Sequence, residues 1–577
     1  MSSDGELLAV ARGDAAAELV LRDARVVSVT SGEVLAGDVA VHGGRIAGIG
    51  RYRGSMELDL GGSYVAPGLV DAHLHVESAM VPPAELARAV VPRGTTTLIA
   101  DPHEIGNVLG LAGIRFMLAD AVRAPLSMFV MAPSCVPASG MATSGAELHA
   151  DDLASLLAEP MVLGLGEVMS FQEVVRGEPA MLAKLAAFAG RPIDGHAPGL
   201  AGGELAAYVA AGIESDHECT TVQEARDRLR QGMWVFLREA TNARNLDDLL
   251  PLVDARTWPR LCLCTDDRQP AHLLDEGHLD AMVRQAIAGG VEPLTALAIG
   301  SWTACQRFGL RDRGAVAPGL RADLVVFDDL RAPRPRLVVQ GGRLVARDGV
   351  LLPAVEEALR GSAAPAAHQA LRGSVHVDWG RVDLRVPLAG RRGRVLGVVP
   401  NQLITEHLVE ELPRRDGAAV ADPERDLAQM AVVERHGRGG TVGLGFVRGL
   451  GLRRGALAST VAHDHHNLVV AGADRTAMET AARRAAALGG GLVAAAGETV
   501  LAEVPLPLAG LMSDRPIEEV RGQLDRALGA ARELGSPLAD PFMALSFLAL
   551  EVIPRLKLTD RGLVDVERFE LVPLWVD

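Results

Sequence analysis

Short β-rich runs, most of them with polar residues at their ends, recur eight times in the first half of the chain, at 64–75, 96–101, 127–133, 162–168, 192–196, 213–217, 233–239 and 260–266. Stretches with apolar residues at helical spacing fall between them, among them 83–91, 146–158, 178–189, 203–211 and 221–231. Apolar strands alternating with amphipathic helices form βα units and a parallel sheet. Eight such units predict an α/β fold with a closed (β/α)8 TIM barrel over 66–314, because an open doubly wound sheet usually stops at five or six strands.

The flanks carry another pattern. Residues 19–50 read as alternating strands that turn at Val41-His42-Gly43-Gly44-Arg45-Ile46, and the string returns as Val339-Gln340-Gly341-Gly342-Arg343-Leu344 within 323–350. A Gly-Gly pair suits a two-residue hairpin turn. Matching hairpins on both sides of the barrel predict one small β domain assembled from 1–65 and 315–352. Residues 353–373, rich in Ala, Arg and Pro, read as a linker. Beyond it, alternating runs at 375–386 and 394–399 and helical patterns at 474–488 and 517–534 predict a C-terminal α+β domain over 374–577. Gly489-Gly490-Gly491 stops the first of those helices; the chain has no GxxxxGK[ST] phosphate loop.

Composition narrows the chemistry. A chain of 577 residues, 49% apolar with 63 glycines, can bury a large core, and its net charge of −16 argues against nucleic acid or an anionic membrane as partner. Aromatics at 3% are too few to build stacking platforms for single-stranded nucleic acid. Cys135, Cys219, Cys262, Cys264 and Cys305 form no disulfide framework and no CxxC, so reduced thiols are expected. The first residues are acidic rather than basic, and no apolar run approaches the ~20 residues of a membrane span. These bounds predict a soluble cytoplasmic enzyme of small-molecule chemistry, and an aliphatic surface over two accessory domains predicts a homodimer.

In such a barrel the active site lies at the C-terminal ends of the strands. Seven of the eight runs deliver ionisable groups there: His73 and His75; Asp101-Pro102-His103-Glu104; Glu167; Asp194-Gly195-His196; Asp216-His217-Glu218; Arg238-Glu239; and Asp266-Asp267-Arg268. His73 and His75, two apart on a strand, share a face and can grip one metal ion. Any single such charge is ordinarily satisfied by a neighbour or water; seven at one mouth point to a shared centre. Imidazole and carboxylate without thiolate suit Zn, Fe or Mn. Cys262 and Cys264 share a strand face with Asp266 and are expected below the mouth as packing residues.

The set resembles the amidohydrolase superfamily, which uses an HxH on strand one, a bridging residue on strand four, single histidines on strands five and six, and an aspartate on strand eight. Longer strings are similar to the adenine deaminase family: Asp71-Ala72-His73-Leu74-His75-Val76-Glu77-Ser78, Asp101-Pro102-His103-Glu104-Ile105-Gly106-Asn107, Asp194-Gly195-His196-Ala197-Pro198, Ser215-Asp216-His217-Glu218-Cys219-Thr220 and Cys264-Thr265-Asp266-Asp267-Arg268. The resemblance spans both flanks, the barrel and the C-terminal domain. It implies His73, His75, Glu167, His196, His217 and Asp266 as ligands of two divalent metal ions, Mn first with Fe or Zn as alternatives, and Glu167 as the bridge where many relatives carry a carboxylated lysine. It implies a purine substrate, adenine, hydrolysed to hypoxanthine and ammonia. Asp266 would shuttle the water proton to the leaving amine. Protonation of N1 falls to Glu104, Glu239 or His103, with Glu239 or Glu104 first.

Two positions depart from the family pattern. Ala240-Thr241 follow Glu239 where Gly-Ser is usual, and His463-Asp464-His465-His466-Asn467 has a His where Ser is more frequent; that string reads as a loop ordered by its Asp and Asn. A dihydroorotase-like or imidazolonepropionase-like hydrolase is the competing activity. A non-catalytic assembly protein would have lost metal ligands, and none of the six is missing.

Overall fold

The structure is a computed structural model and describes residues 3–361, 368–400 and 402–577. Eight strands form the barrel: β1 Leu69–Leu74, β2 Thr95–Ala100, β3 Ser127–Ala132, β4 Val162–Val168, β5 Ile193–Gly195, β6 Ser215–Asp216, β7 Trp234–Arg238 and β8 Leu261–Cys264. The first five make one parallel sheet and the last three another. Backbone bonds close both seams. Asp266 N donates to His73 O at 3.0 Å beside the Leu74–Asp266 bridge, and Glu214 N donates to Ile193 O at 3.0 Å. Inside, Val70, Ala72, Ile99, Phe129, Phe236, Cys262 and Cys264 pack together, which places both cysteines in the barrel core.

Strands from both flanks share a nine-stranded sheet. Tyr64–Pro67, which leads into β1, pairs antiparallel with Leu324–Phe327 and parallel with Ala17–Ser28. The two Gly-Gly turns have the positive φ that a two-residue hairpin requires, +56° and +76° at Gly43 and Gly44, +53° and +80° at Gly341 and Gly342. They also rest on each other. A Cβ on Gly342 would lie 2.8 Å from Gly44 Cα, and Ala322 ties the pair by donating to Gly44 O and accepting from Gly342 N, each at 2.9 Å. The repeated string therefore marks a contact between the flanks.

Part of the expected linker is a helix, Pro353–Gly361. Its Val355 and Leu359, four apart on one helical face, pack against the main core, and that burial stabilises a segment whose composition looked unstructured. Residues 362–367 of the expected linker lie outside the described residues.

The C-terminal part holds an eight-stranded sheet running Thr405–Glu411, Arg392–Val398, Val442–Arg448, Leu427–Val433, Leu468–Gly472, Ala456–Ser459, Gly491–Ala496 and Thr499–Pro505. Helices Arg475–Ala487 and Ile517–Glu533 pack on it. The alternation at 375–386 yields a strand only at Val386–Pro387. Asp378 and Asp383 accept hydrogen bonds from the backbone two residues on, Gly380 N at 3.1 Å and Arg385 N at 2.8 Å, which turns the chain. Val377, Trp379 and Val382 still reach the core from these turns. This part lies against the barrel mouth: Asn467 Nδ2 donates to Thr143 O at 2.8 Å, Thr143 N to Asp560 Oδ1 at 2.8 Å, and Ser139 Oγ to Glu551 Oε1 at 2.8 Å. Among the described residues no helix is long and apolar enough to cross a membrane.

Candidate active site

Glu167, at the end of β4, is buried at the centre of the mouth, 2% exposed. One of its oxygens, Oε1, lies 3.7 Å from His73 Nε2 and 3.3 Å from His75 Nε2; the other, Oε2, lies 2.8 Å from His196 Nδ1 and 3.3 Å from His217 Nε2. Asp266 Oδ1 faces the first pair at 3.6 and 3.1 Å. One carboxylate thus separates two imidazole pairs, with a second carboxylate on one side.

Local chemistry fixes each group. Asp101 Oδ2 accepts from Glu167 N at 2.8 Å, reaching across Gly166, where a Cβ would sit 2.1 Å from that oxygen. Asp71 accepts from Thr265 N at 3.1 Å and Thr265 Oγ1 at 2.6 Å, which ties β1 to the end of β8. The next residue, Asp266, takes a left-handed φ of +53°, a conformation Asp tolerates better than most residues. Arg238 Nη1 holds Asp266 Oδ2 at 3.0 Å and, with Nη2, also grips Glu218.

Burial alone would raise the Glu167 and Asp266 carboxyls. His196, His217 and His75 outweigh it for Glu167, and His73, His75 and Arg238 do so for Asp266, so both are held well below the usual carboxylate range.

The residues fit divalent cations. His75 Nδ1 is 2.9 Å from Asp101 O; donating there leaves Nε2 as a lone pair facing the carboxylates, the orientation a second partner imposes on a metal-binding histidine. His73 Nε2 and His196 Nε2 are buried without a hydrogen-bond partner. Ligand atoms of His73, His75 and Asp266, of His73, Glu167 and His217, and of His196, His217 and Glu218 lie within 4.8 Å of one another in each group. All are nitrogen or oxygen donors, which suits Mn, Fe or Zn.

Residues 64–355 match the amidohydrolase family and residues 402–570 the adenine deaminase C-terminal domain. An adenine deaminase of Desulfatibacillum aliphaticivorans is 46% identical over 99% of this chain and 100% of its own length. The chain belongs to the adenine deaminase family. Adenine deaminase 2 of Carboxydothermus hydrogenoformans is 47% identical over 99% of both chains, and an adenine deaminase of Cereibacter sphaeroides is 48% identical over 98% of this chain and 99% of its own.

Within this adenine deaminase framework the candidates on the substrate side part ways. His103 and Glu104 start helix His103–Ala121 and stay at the centre, with His103 Nδ1 3.5 Å from Glu167 Oε1 and His103 Nε2 3.3 Å from Glu104 Oε1. Glu239 does not join them. Its carboxylate accepts from Leu246 N at 3.4 Å and lies 3.7 Å from Arg244. Neighbours along a strand point to opposite faces, so with Arg238 turned towards Asp266 its neighbour turns away. Arg238 and Glu218 take that part of the mouth. Sequence reasoning placed both at the mouth but gave neither a role, although the strand alternation that turns Glu239 out favours Arg238.

Thr241, at the departure from the family pattern, is spent on structure. Its N donates to Asp267 O at 2.8 Å and its Oγ1 accepts from Gln269 N at 2.9 Å, steadying the loop after β8. The loop expected to be ordered by its Asp and Asn is held otherwise: Asn467 accepts from Arg435 N at 3.2 Å, outside the loop, while His466 Nδ1 and His465 Nδ1 accept from Ala462 N at 3.1 Å and Asn467 N at 3.0 Å within it. His463 Nδ1 and His466 Nε2 both contact the Glu104 carboxylate, and Asp464 Oδ1 lies 3.4 Å from His103 Nε2. No spacing rule within one segment reveals a contact made across 360 residues of chain.

Proposed function

We propose that this protein hydrolyses adenine to hypoxanthine and ammonia. The reading rests on Glu167 standing between two imidazole pairs, in a chain aligned over its full length with adenine deaminases. His73, His75 and Asp266 would hold one divalent cation and His196 and His217 a second, with Glu167 shared; Mn is the first assignment, and Fe or Zn suit the same donors. When bound, such a pair lowers the pKa of water and supplies hydroxide at neutral pH. The chain's own groups do the rest. Asp266, with one oxygen held by Arg238, accepts the proton of the attacking water and returns it to the exocyclic amine, which leaves as ammonia. His103 lines the purine side, and Arg238 orients Asp266. The enzyme is further proposed to be cytoplasmic and homodimeric.

Ammonia release from adenine by protein loaded with Mn, beside metal analysis, tests the reading. We expect turnover with about two metal equivalents per chain. Ring opening of dihydroorotate or an imidazolone substrate, followed by the change in its ultraviolet absorbance, with no ammonia from adenine, would assign another hydrolase of the superfamily.

A further inference from the structure

Resting on the adenine reading, we propose that His463, carried into the barrel mouth by the C-terminal region, is the acid that protonates N1 of the purine, with Glu104 as its carboxylate partner. The geometry begins at Glu104, 1% exposed, whose two oxygens are each met by an imidazole, His463 Nδ1 on one and His466 Nε2 on the other. The state of His466 is fixed from behind. Ala462 N donates to His466 Nδ1 at 3.1 Å, so Nδ1 carries no proton and Nε2–H points at Glu104. A carboxylate with an imidazole nitrogen against each of its oxygens is held ionised and has no proton to give. Burial would raise it, yet His463 and His466 hold it well below the carboxylate range. The donor role that the sequence offered to Glu104 therefore passes to its partner.

His463 is built for it. Its ring stacks on Phe547, centroids 4.9 Å apart at 14°, and its backbone N donates to Ser546 Oγ at 3.1 Å, so its plane and position are set. With Nδ1 directed at Glu104, its Nε2 is buried and without a partner, the one N–H free for a ligand. The charged groups around it are Glu104 from the barrel helix, Asp267 beside Asp266, and Asp464 and His466 from its own loop. Burial opposes a charge on His463, but Glu104 and Asp267 lift it to about 9, so the ring is protonated at neutral pH.

Atoms balance as follows. As the water oxygen bonds to C6, the C6–N1 π pair moves onto N1, which takes the Nε2 proton of His463. Asp266 carries one water proton to the amine, the C6–N bond breaks to release ammonia, and the second water proton, freed as C6=O forms, restores His463.

Three proteins are compared for ammonia release from adenine across pH 6 to 10, each with metal analysis. Wild type releasing none would sink the adenine reading itself. With wild type active, His463→Gln should lose about 10²–10⁴-fold in kcat at little change in KM and keep its metal, the scale of a lost general acid. Glu104→Gln should move the alkaline limb of kcat/KM to lower pH, because it removes the first of the carboxylates that lift His463. Unchanged kcat in His463→Gln, loss of metal in either variant, or an alkaline limb that stays put in Glu104→Gln would overturn the assignment. If His463→Gln does not fold, the Glu104→Gln profile decides alone.

Discussion

Asp266 and Glu167 carry similar charge but different duties, and substitution should separate them. Asp266→Asn keeps an oxygen for His73 and His75 but cannot take a proton. Ammonia release should fall by about 10²–10⁴-fold while most metal stays bound, and unchanged turnover would refute the proton-shuttle role. Glu167→Gln removes the charge shared by four imidazoles, so metal content should drop; full occupancy in that variant would count against bridging. Arg238 faces two buried carboxylates, Glu218 and Asp266. Arg238→Met removes the guanidinium they share, leaving imidazoles as their remaining partners, and should cost about 3–5 kcal/mol in a urea unfolding curve of the metal-free protein.

At the scale of elements, the two hairpin turns are the most exacting part of the flanking sheet. Gly342 combines a φ of +80° with a neighbouring backbone where a side chain would sit. Gly342→Ala should therefore destabilise by more than the roughly 1–2 kcal/mol of the left-handed penalty alone, read as a shift in the urea midpoint. The same change at Gly349, also left-handed at +81° but with open space around it, should cost only that penalty. Barrel strands such as Leu69–Leu74 and Thr95–Ala100 were legible in the sequence as apolar runs closed by a polar residue, whereas the short Ile193–Gly195 and Ser215–Asp216 were legible mainly from their place between helical stretches. The segment at 375–386 was not, because Asx turns bend a chain whose apolar alternation reads as extended. Likewise the helix Pro353–Gly361 owes its order to burial of Val355 and Leu359, a tertiary effect that local composition does not reveal.

For the whole molecule, the six expected ligands converge because one architecture places every strand end at one mouth, and it was the resemblance of the strand-end strings to the family that singled them out. Glu239 went astray where a charge at a strand end was counted without its facing direction. His463 and His466 escaped because their partner, Glu104, belongs to the other end of the chain. The C-terminal region is thus part of the site and not an appendage. A chain ending at Arg372 would leave Glu104 buried without its two imidazole partners and strip Thr143 of Asp560 and Asn467. We expect it to lose ammonia release and melt earlier; full activity in that truncation would exclude a role in closing the mouth.

The sheet shared by the two flanks also sets an order of events during synthesis. Tyr64–Pro67 feeds directly into β1, yet its antiparallel neighbour, Leu324–Phe327, leaves the ribosome only after the entire barrel has been made. At about 5–20 residues per second that wait is on the order of tens of seconds. Throughout it, the apolar edge of Tyr64–Pro67 stays open on the nascent chain, the kind of unpaired strand on which chaperones act and aggregation starts.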